Sequence, residues 1–170
     1  MFELFLPYLI GTALGMSANE GDTQTTQAEV PVLEASGDDI ASRTPEPQIP
    51  TGKFTTAVEV KPILGMTKGN WVAVRNYNGQ DLLYFSHLLA WRCGLWDVRY
   101  GINGAPADQV FPLEPCYYDL QTPNSIVDVE TYLIYATLPP DSVETVYVEV
   151  TFDDGTTDFA QFNRNEIQIP

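Results

Sequence analysis

The sequence predicts an all-β domain, an immunoglobulin-like antiparallel β-sandwich of about seven strands, placed behind an apolar segment and an acidic tether. Three observations predict it. Short runs after residue 53 alternate apolar and polar residues with the period of two that a half-buried strand requires. Asn-Gly, Asp-Gly and Pro-Pro pairs punctuate those runs, as turns do in an antiparallel meander. The chain also changes character twice: residues 4–18 are apolar and uncharged, residues 19–52 are acidic and contain no aromatic ring, and residues 53–170 hold all three tryptophans and both cysteines.

The three parts read differently. A helix over residues 4–18 would span about 22 Å, short of a hydrocarbon core of about 30 Å. Residues 1–18 therefore read as a signal peptide, with small residues Ala13, Gly15, Ser17 and Ala18 as cleavage positions. The opening Met1-Phe2-Glu3 lacks the basic character such segments usually carry. An amphipathic helix docked on the body is the competing reading. Residues 19–52 have one base, Arg43, and prolines at 31, 45, 47 and 50. Such a composition buries too little apolar area to offset its conformational entropy, so it reads as a disordered linker, stiff at its Pro-rich end.

Charge excludes some partners. The chain carries 23 acids against 8 bases, a formal net charge of -15. Residues 1–52 contribute 8 acids and 1 base, leaving 15 acids and 7 bases to residues 53–170. Both parts are acidic, and neither has the basic stripe that displaces counterions from nucleic-acid phosphates. Anionic membrane surfaces are disfavoured for the same reason. Cys93 and Cys116 form an isolated pair, which in an oxidising compartment is a disulfide; its closed loop adds roughly 3–4 kcal/mol in the chain-entropy model. Two buried thiols are the cytosolic alternative. Two cysteines and one distant histidine lack the spacing of a metal site.

Element by element, residues 54–61 are rich in Thr and Val and read as the first strand. Residues 71–77 alternate and meet Asn78-Gly79, a two-residue hairpin turn that sets Val74 opposite Leu83 and Val72 opposite Phe85 on one face. Residues 84–91 are apolar at almost every position, the one stretch with a helical look. Along residues 96–102, alternation places Trp96, Val98, Tyr100 and Ile102 inward, with Asp97 and Arg99 outward, before Asn103-Gly104. Residues 132–138 form a strand closed by Pro139-Pro140. Residues 143–152 give the clearest pattern: Val146, Val148, Val150 and Phe152 in, Thr145, Tyr147, Glu149 and Thr151 out. Asp153-Asp154-Gly155 then turns the chain into residues 157–163, with Ala160 and Phe162 on the core face.

Candidate chemistry is sparse. His87 is the only histidine, so a Ser-His-Asp scheme must use it with Asp81, Asp97 or Asp119, and Ser86 beside it would point the other way on a strand. No nucleophile elbow, phosphate-cradling loop, dinucleotide fingerprint or calcium loop occurs, and no cofactor is implied. Asp153-Asp154-Gly155 reads as turn chemistry. The aromatics carry more: by turn geometry Tyr77, and by alternation Tyr147, face outward and could stack a sugar or a protein partner.

The runs Lys68-Gly69-Asn70-Trp71-Val72-Ala73-Val74-Arg75, Asp81-Leu82-Leu83-Tyr84-Phe85 and Trp91-Arg92-Cys93-Gly94-Leu95-Trp96-Asp97-Val98-Arg99-Tyr100-Gly101-Ile102-Asn103-Gly104 resemble small exported proteins of Gram-negative bacteria that have no assigned function. The resemblance spans about residues 66–170 and implies location and fold, not activity. The Val98-Arg99-Tyr100 strand with its Asn103-Gly104 turn is also similar to immunoglobulin-like accessory domains of bacterial carbohydrate-acting proteins. The expectation is a periplasmic or secreted, non-catalytic binding or assembly module. Its partner would be a protein or glycan of the cell envelope, with no nucleic acid and no stable membrane span. The candidate binding residues are Tyr77, Tyr147 and His87. A small hydrolase using His87 and a carbohydrate-binding module using exposed aromatics are the alternatives.

Overall fold

The computed structural model describes residues 42–170, so the expected signal peptide and residues 19–41 of the expected linker lie outside the described residues. Seven strands form two antiparallel sheets. Strands β1 (Ala73–Tyr77), β2 (Gln80–Tyr84) and β5 (Tyr135–Leu138) make a three-stranded sheet in that order. Strands β3 (Leu95–Ile102), β4 (Gln109–Val110), β6 (Thr145–Phe152) and β7 (Thr157–Asn163) make a four-stranded sheet in the order β4-β3-β6-β7. Val74 and Leu83 from the first sheet, with Phe85 just past β2, share one buried cluster with Val98, Val146, Val148 and Val150 from the second, as in a sandwich.

The hairpins follow their turn chemistry. Asn78 and Gly79 take φ of 51° and 72°, and Asn103 and Gly104 take 55° and 84°, the left-handed pairs that Asn-Gly tolerates best. The first turn sets Val74 opposite Leu83, and Val72 and Phe85 are buried just beyond the paired residues, so the expected inward face is present. Asn103 also fastens the turn across the sheet: its Oδ1 accepts from the Glu144 and Thr145 N–H groups at 2.8 and 3.1 Å. β6 buries Val146, Val148, Val150 and Phe152 as alternation requires, but Thr151, expected outward, is buried as well; β7 places Ala160 opposite Val148 and Phe162 opposite Val146.

Two expectations are corrected. Residues 54–61 are not a strand; Ala57–Met66 is a helix, α1. Its buried residues Ala57, Val60 and Leu64 fall at i, i+3 and i+7, a helical stripe obscured by β-branched neighbours and by Pro62 inside the helix. Tertiary packing decides the conformation here. A Cβ on Gly94 would lie 2.5 Å from Val60 Cγ2, so only glycine lets the helix seat this closely. The second correction concerns Trp96. The register slips between Leu95 and Asp97, so Trp96 sits in a bulge and leaves the core face, while Asp97 is buried and accepts from Arg99 Nε at 2.6 Å.

Short helices complete the body: α2 (Ser86–Leu89), inside the stretch expected to be helical, and α3 (Arg164–Ile167). α3 begins with a reciprocal capping box between Asn163 and Glu166. Residues 43–52, which sequence alone assigned to the linker, make defined contacts. The Glu46 N–H donates to the Asp153 carbonyl at 2.8 Å, Gln48 Oε1 accepts from the Val58 N–H, and the Arg43 guanidinium lies 5.8 Å from the Trp96 ring centre. Among the described residues, no helix is long and apolar enough to cross a membrane.

Candidate functional site

The outer face of the three-stranded sheet carries a polar hollow. Because side chains alternate, the outward positions are Ala73, Arg75 and Tyr77 on β1, Gln80, Leu82 and Tyr84 on β2, and Tyr135 and Thr137 on β5. Registration stacks them into rows. Tyr77 faces Gln80; Arg75, Leu82 and Thr137 lie across all three strands; Ala73, Tyr84 and Tyr135 form the third row. Arg75, Tyr77, Asn78, Gln80, Leu82, Tyr84, Tyr135 and Thr137 enclose a hollow of about 360 Å³. Tyr84 and Tyr135 meet edge to face at 5.4 Å, and the Arg75 guanidinium lies 5.2 Å from the Tyr77 ring centre. Tyr77 is 57 % exposed, so its ring is open to a ligand.

Three bases have no carboxylate partner among the described residues: Arg43, Lys53 and Arg75. Lys61, Lys68, Arg92, Arg99 and Arg164 all meet carboxylates. Arg75 lies over the Tyr77 ring instead, and Arg43 over the Trp96 ring.

The sequence-derived candidates are dispersed. Tyr77 belongs to this hollow. Tyr147 lies on the outer face of the other sheet, where it stacks on the exposed Phe159 at 5.8 Å. His87 is half-buried in α2, not on a strand. Its Nε2 is 2.8 Å from Thr67 Oγ1, which itself donates to the Ile63 carbonyl at 2.7 Å. With the hydroxyl proton committed, Nε2 is the donor. Burial holds the imidazole below its ordinary pKa. Of the acids considered for it, Asp81 is bound to Arg164 and Asp97 to Arg99.

Sequence reasoning missed Tyr84 and Tyr135. Tyr84 was legible from the hairpin register it implied, since Tyr84 alternates with the inward Leu83 and Phe85. Tyr135 was not, because the pairing of β5 with β2 is a long-range choice. Cys93 and Cys116 form the expected disulfide, with Cα atoms 5.1 Å apart. Among the described residues no group of three or more His, Cys, Asp or Glu side chains is placed to hold a metal ion. Comparison with protein-family models, curated proteins and solved structures finds no match for the chain.

Proposed function

We propose that the chain is an exported, non-catalytic binding module of the bacterial cell envelope, built as an immunoglobulin-like sandwich, and that it takes a glycan on the tyrosine face of its three-stranded sheet. The observation that carries this is the hollow that unites Tyr77, Tyr84 and Tyr135 with Arg75, which has no carboxylate partner among the described residues. Tyrosine offers an apolar ring face and a hydroxyl, which is what a sugar ring with its C–H faces and hydroxyl edge recognises. Gln80, Asn78 and Thr137 add hydrogen-bonding groups, and Arg75 supplies a fork for an acidic substituent. The division into three and four strands supports the immunoglobulin-like reading. The disulfide and the uncharged apolar segment at residues 4–18 support export.

Two measurements test it. Calorimetric titration with acidic and neutral glycans, peptidoglycan fragments included, should give binding that falls about tenfold or more in Tyr84→Ala and in Arg75→Gln. Binding of a glycan that both variants retain would remove the tyrosine face from the function. Intact mass of protein recovered from the periplasm of an expressing bacterium should show loss of about 15–18 residues and a two-hydrogen deficit. A full-length reduced chain would overturn the export reading.

A further inference from the structure

A second hollow, of about 430 Å³, shares no lining residue with the tyrosine face and lies between residues 52–54, Ala90-Trp91 and residues 121–125. Three features converge there. Phe54 has φ of 58°, a left-handed conformation that is strained for a bulky side chain, and it stays 41 % exposed with its ring edge-on to Trp91 at 5.2 Å. The Trp91 Nε1–H is buried and has no acceptor. Lys53, on the same rim, meets no carboxylate among the described residues. A strained aromatic and a cation with no carboxylate partner among the described residues thus share one rim, with a buried donor that lacks an acceptor on the adjoining Trp91 ring.

The walls are built rigidly. Asn124 Oδ1 accepts from the Cys93 N–H at 2.8 Å, and its Nδ2 donates to the Phe54 carbonyl at 2.9 Å. Arg92 donates to the carbonyls of Asn124 and Ser125 at 2.7 and 2.8 Å. The two sides of the opening are thus tied to the Trp91-Arg92-Cys93 stretch and, through the disulfide, to Cys116. Thr122 and Ser125 bond to each other at 2.5 Å, whereas the Gln121 amide and the Lys53 ammonium on the same lining have no described partner.

We propose that this opening is a second binding site, for a small ring-bearing organic anion. Its flat ring packs against Phe54 and Trp91, and its acidic group meets Lys53. The volume suits a molecule of one or two rings, and an anion is the ligand class that Lys53, with no carboxylate partner among the described residues, would meet.

The test uses the full chain and two fluorescent probes with the same kind of ring system, the anionic 1-anilinonaphthalene-8-sulfonate and the neutral N-phenyl-1-naphthylamine. The anion should bind, and Lys53→Gln should weaken it about tenfold while changing the neutral probe little. Tyr84→Ala, outside the lining of this hollow, should leave the anion's affinity unchanged. In nitrogen-edited spectra, one of three indole signals, assigned by Trp91→Phe, should shift as the anion is added. Equal weakening of both probes by Lys53→Gln, loss of the anion in Tyr84→Ala, or a Trp91 indole signal that does not move would each overturn the proposal. None of these outcomes depends on whether the tyrosine face takes a glycan.

Discussion

Strands β6 and β7 and the long connection between β4 and β5 lie in one domain and are held by opposite means. On β6 the stabilising groups are Val146, Val148, Val150 and Phe152, spaced by two and buried against Ala160 and Phe162. In the connection they are a guanidinium, a carboxylate and a disulfide. Arg92 is 2 % exposed and donates to five carbonyls, those of Leu89, Glu114, Pro115, Asn124 and Ser125. Glu114, 3 % exposed, accepts from the Val127 and Asp128 N–H groups and from the Tyr117 hydroxyl, each within 2.7–2.8 Å. A segment with little regular pairing of its own has its backbone groups satisfied by side chains instead. The sheet spreads its stability over many methyl groups, whereas the connection concentrates it in a few polar atoms. The first should therefore degrade gradually and the second abruptly.

The sharpest way to break the connection is Arg92→Leu. It strands the buried Glu114 carboxylate and leaves the carbonyls without donors, a loss on the order of 3–5 kcal/mol in urea-induced unfolding. Arg92→Lys should recover little of this, because three donors on a flexible stem cannot replace a planar five-donor fork. Hydrogen exchange sharpens the contrast. Protection should collapse in residues 113–128 first and persist in β6 and β7. Uniform loss across both regions would show that the two are one cooperative unit.

Replacing both cysteines by serine comes next, at roughly 3 kcal/mol for a bridge spanning 23 residues. Cys93 follows Arg92, and Cys116 lies two residues past Glu114, so bridge and ion pair pin the same crossing. The two losses should therefore be less than additive in the triple variant.

This contrast also explains what the sequence disclosed. The inward valines of β6, the Asn78-Gly79 and Asn103-Gly104 turns and the Cys93–Cys116 bridge follow from local period, turn chemistry and redox logic, and each was legible. Arg92 carries no periodic signature, and its partners lie 3, 22, 23, 32 and 33 residues away. The helix α1 was hidden for a related reason. Val58, Val60 and Pro62 favour extended chain locally, and what selects the helix is remote: Gly94 against Val60, and Asp153 accepting from the Ala57 N–H at 2.8 Å. One local cue was present, the Thr56-Ala57-Val58-Glu59 pattern, and Glu59 does accept from the Thr56 hydroxyl at 2.9 Å. The site was half legible. Tyr77 follows from its turn, while its union with Tyr135 needs the β2–β5 pairing.

On the sheet side of the comparison, Val148→Ala removes two methyl groups from a fully buried position and should cost about 2 kcal/mol. The same substitution at Val127, which is 60 % exposed within the connection, should change stability by less than about 0.5 kcal/mol. An equal cost at both sites would mean that apolar burial holds the connection too.

A further contrast separates the buried carboxylates by sign. Arg164 and the Val143 N–H hold Asp81 below its ordinary pKa. For Glu114, burial pushes upward, but donors from Asp128, Tyr117 and Val127 and the charge of Arg92 bring it down. Both therefore add stability that is present above the unfolded carboxylate pKa of about 4 and is lost as pH falls through their lowered folded values. Asp153 is the reverse. Burial raises its pKa despite bonds from Gln48 and Ala57, and its Oδ2 has no partner. Its ionised form costs stability at neutral pH, and that cost disappears as pH falls through the raised folded value toward the unfolded one. His87, lowered by burial, loses stability below about 6.5 and overlaps this window, so the parent chain alone would not isolate Asp153. The difference between Asp153→Asn and the parent does. The variant should gain relative stability at pH 7–8, and the gain should shrink toward pH 4 with a slope of at most about 1.4 kcal/mol per pH unit. Any constant offset from the amide's own hydrogen bonds leaves that slope intact. A difference that is flat from pH 4 to 8 would mean Asp153 titrates alike in the folded and unfolded chain, and that its buried oxygen is satisfied in solution.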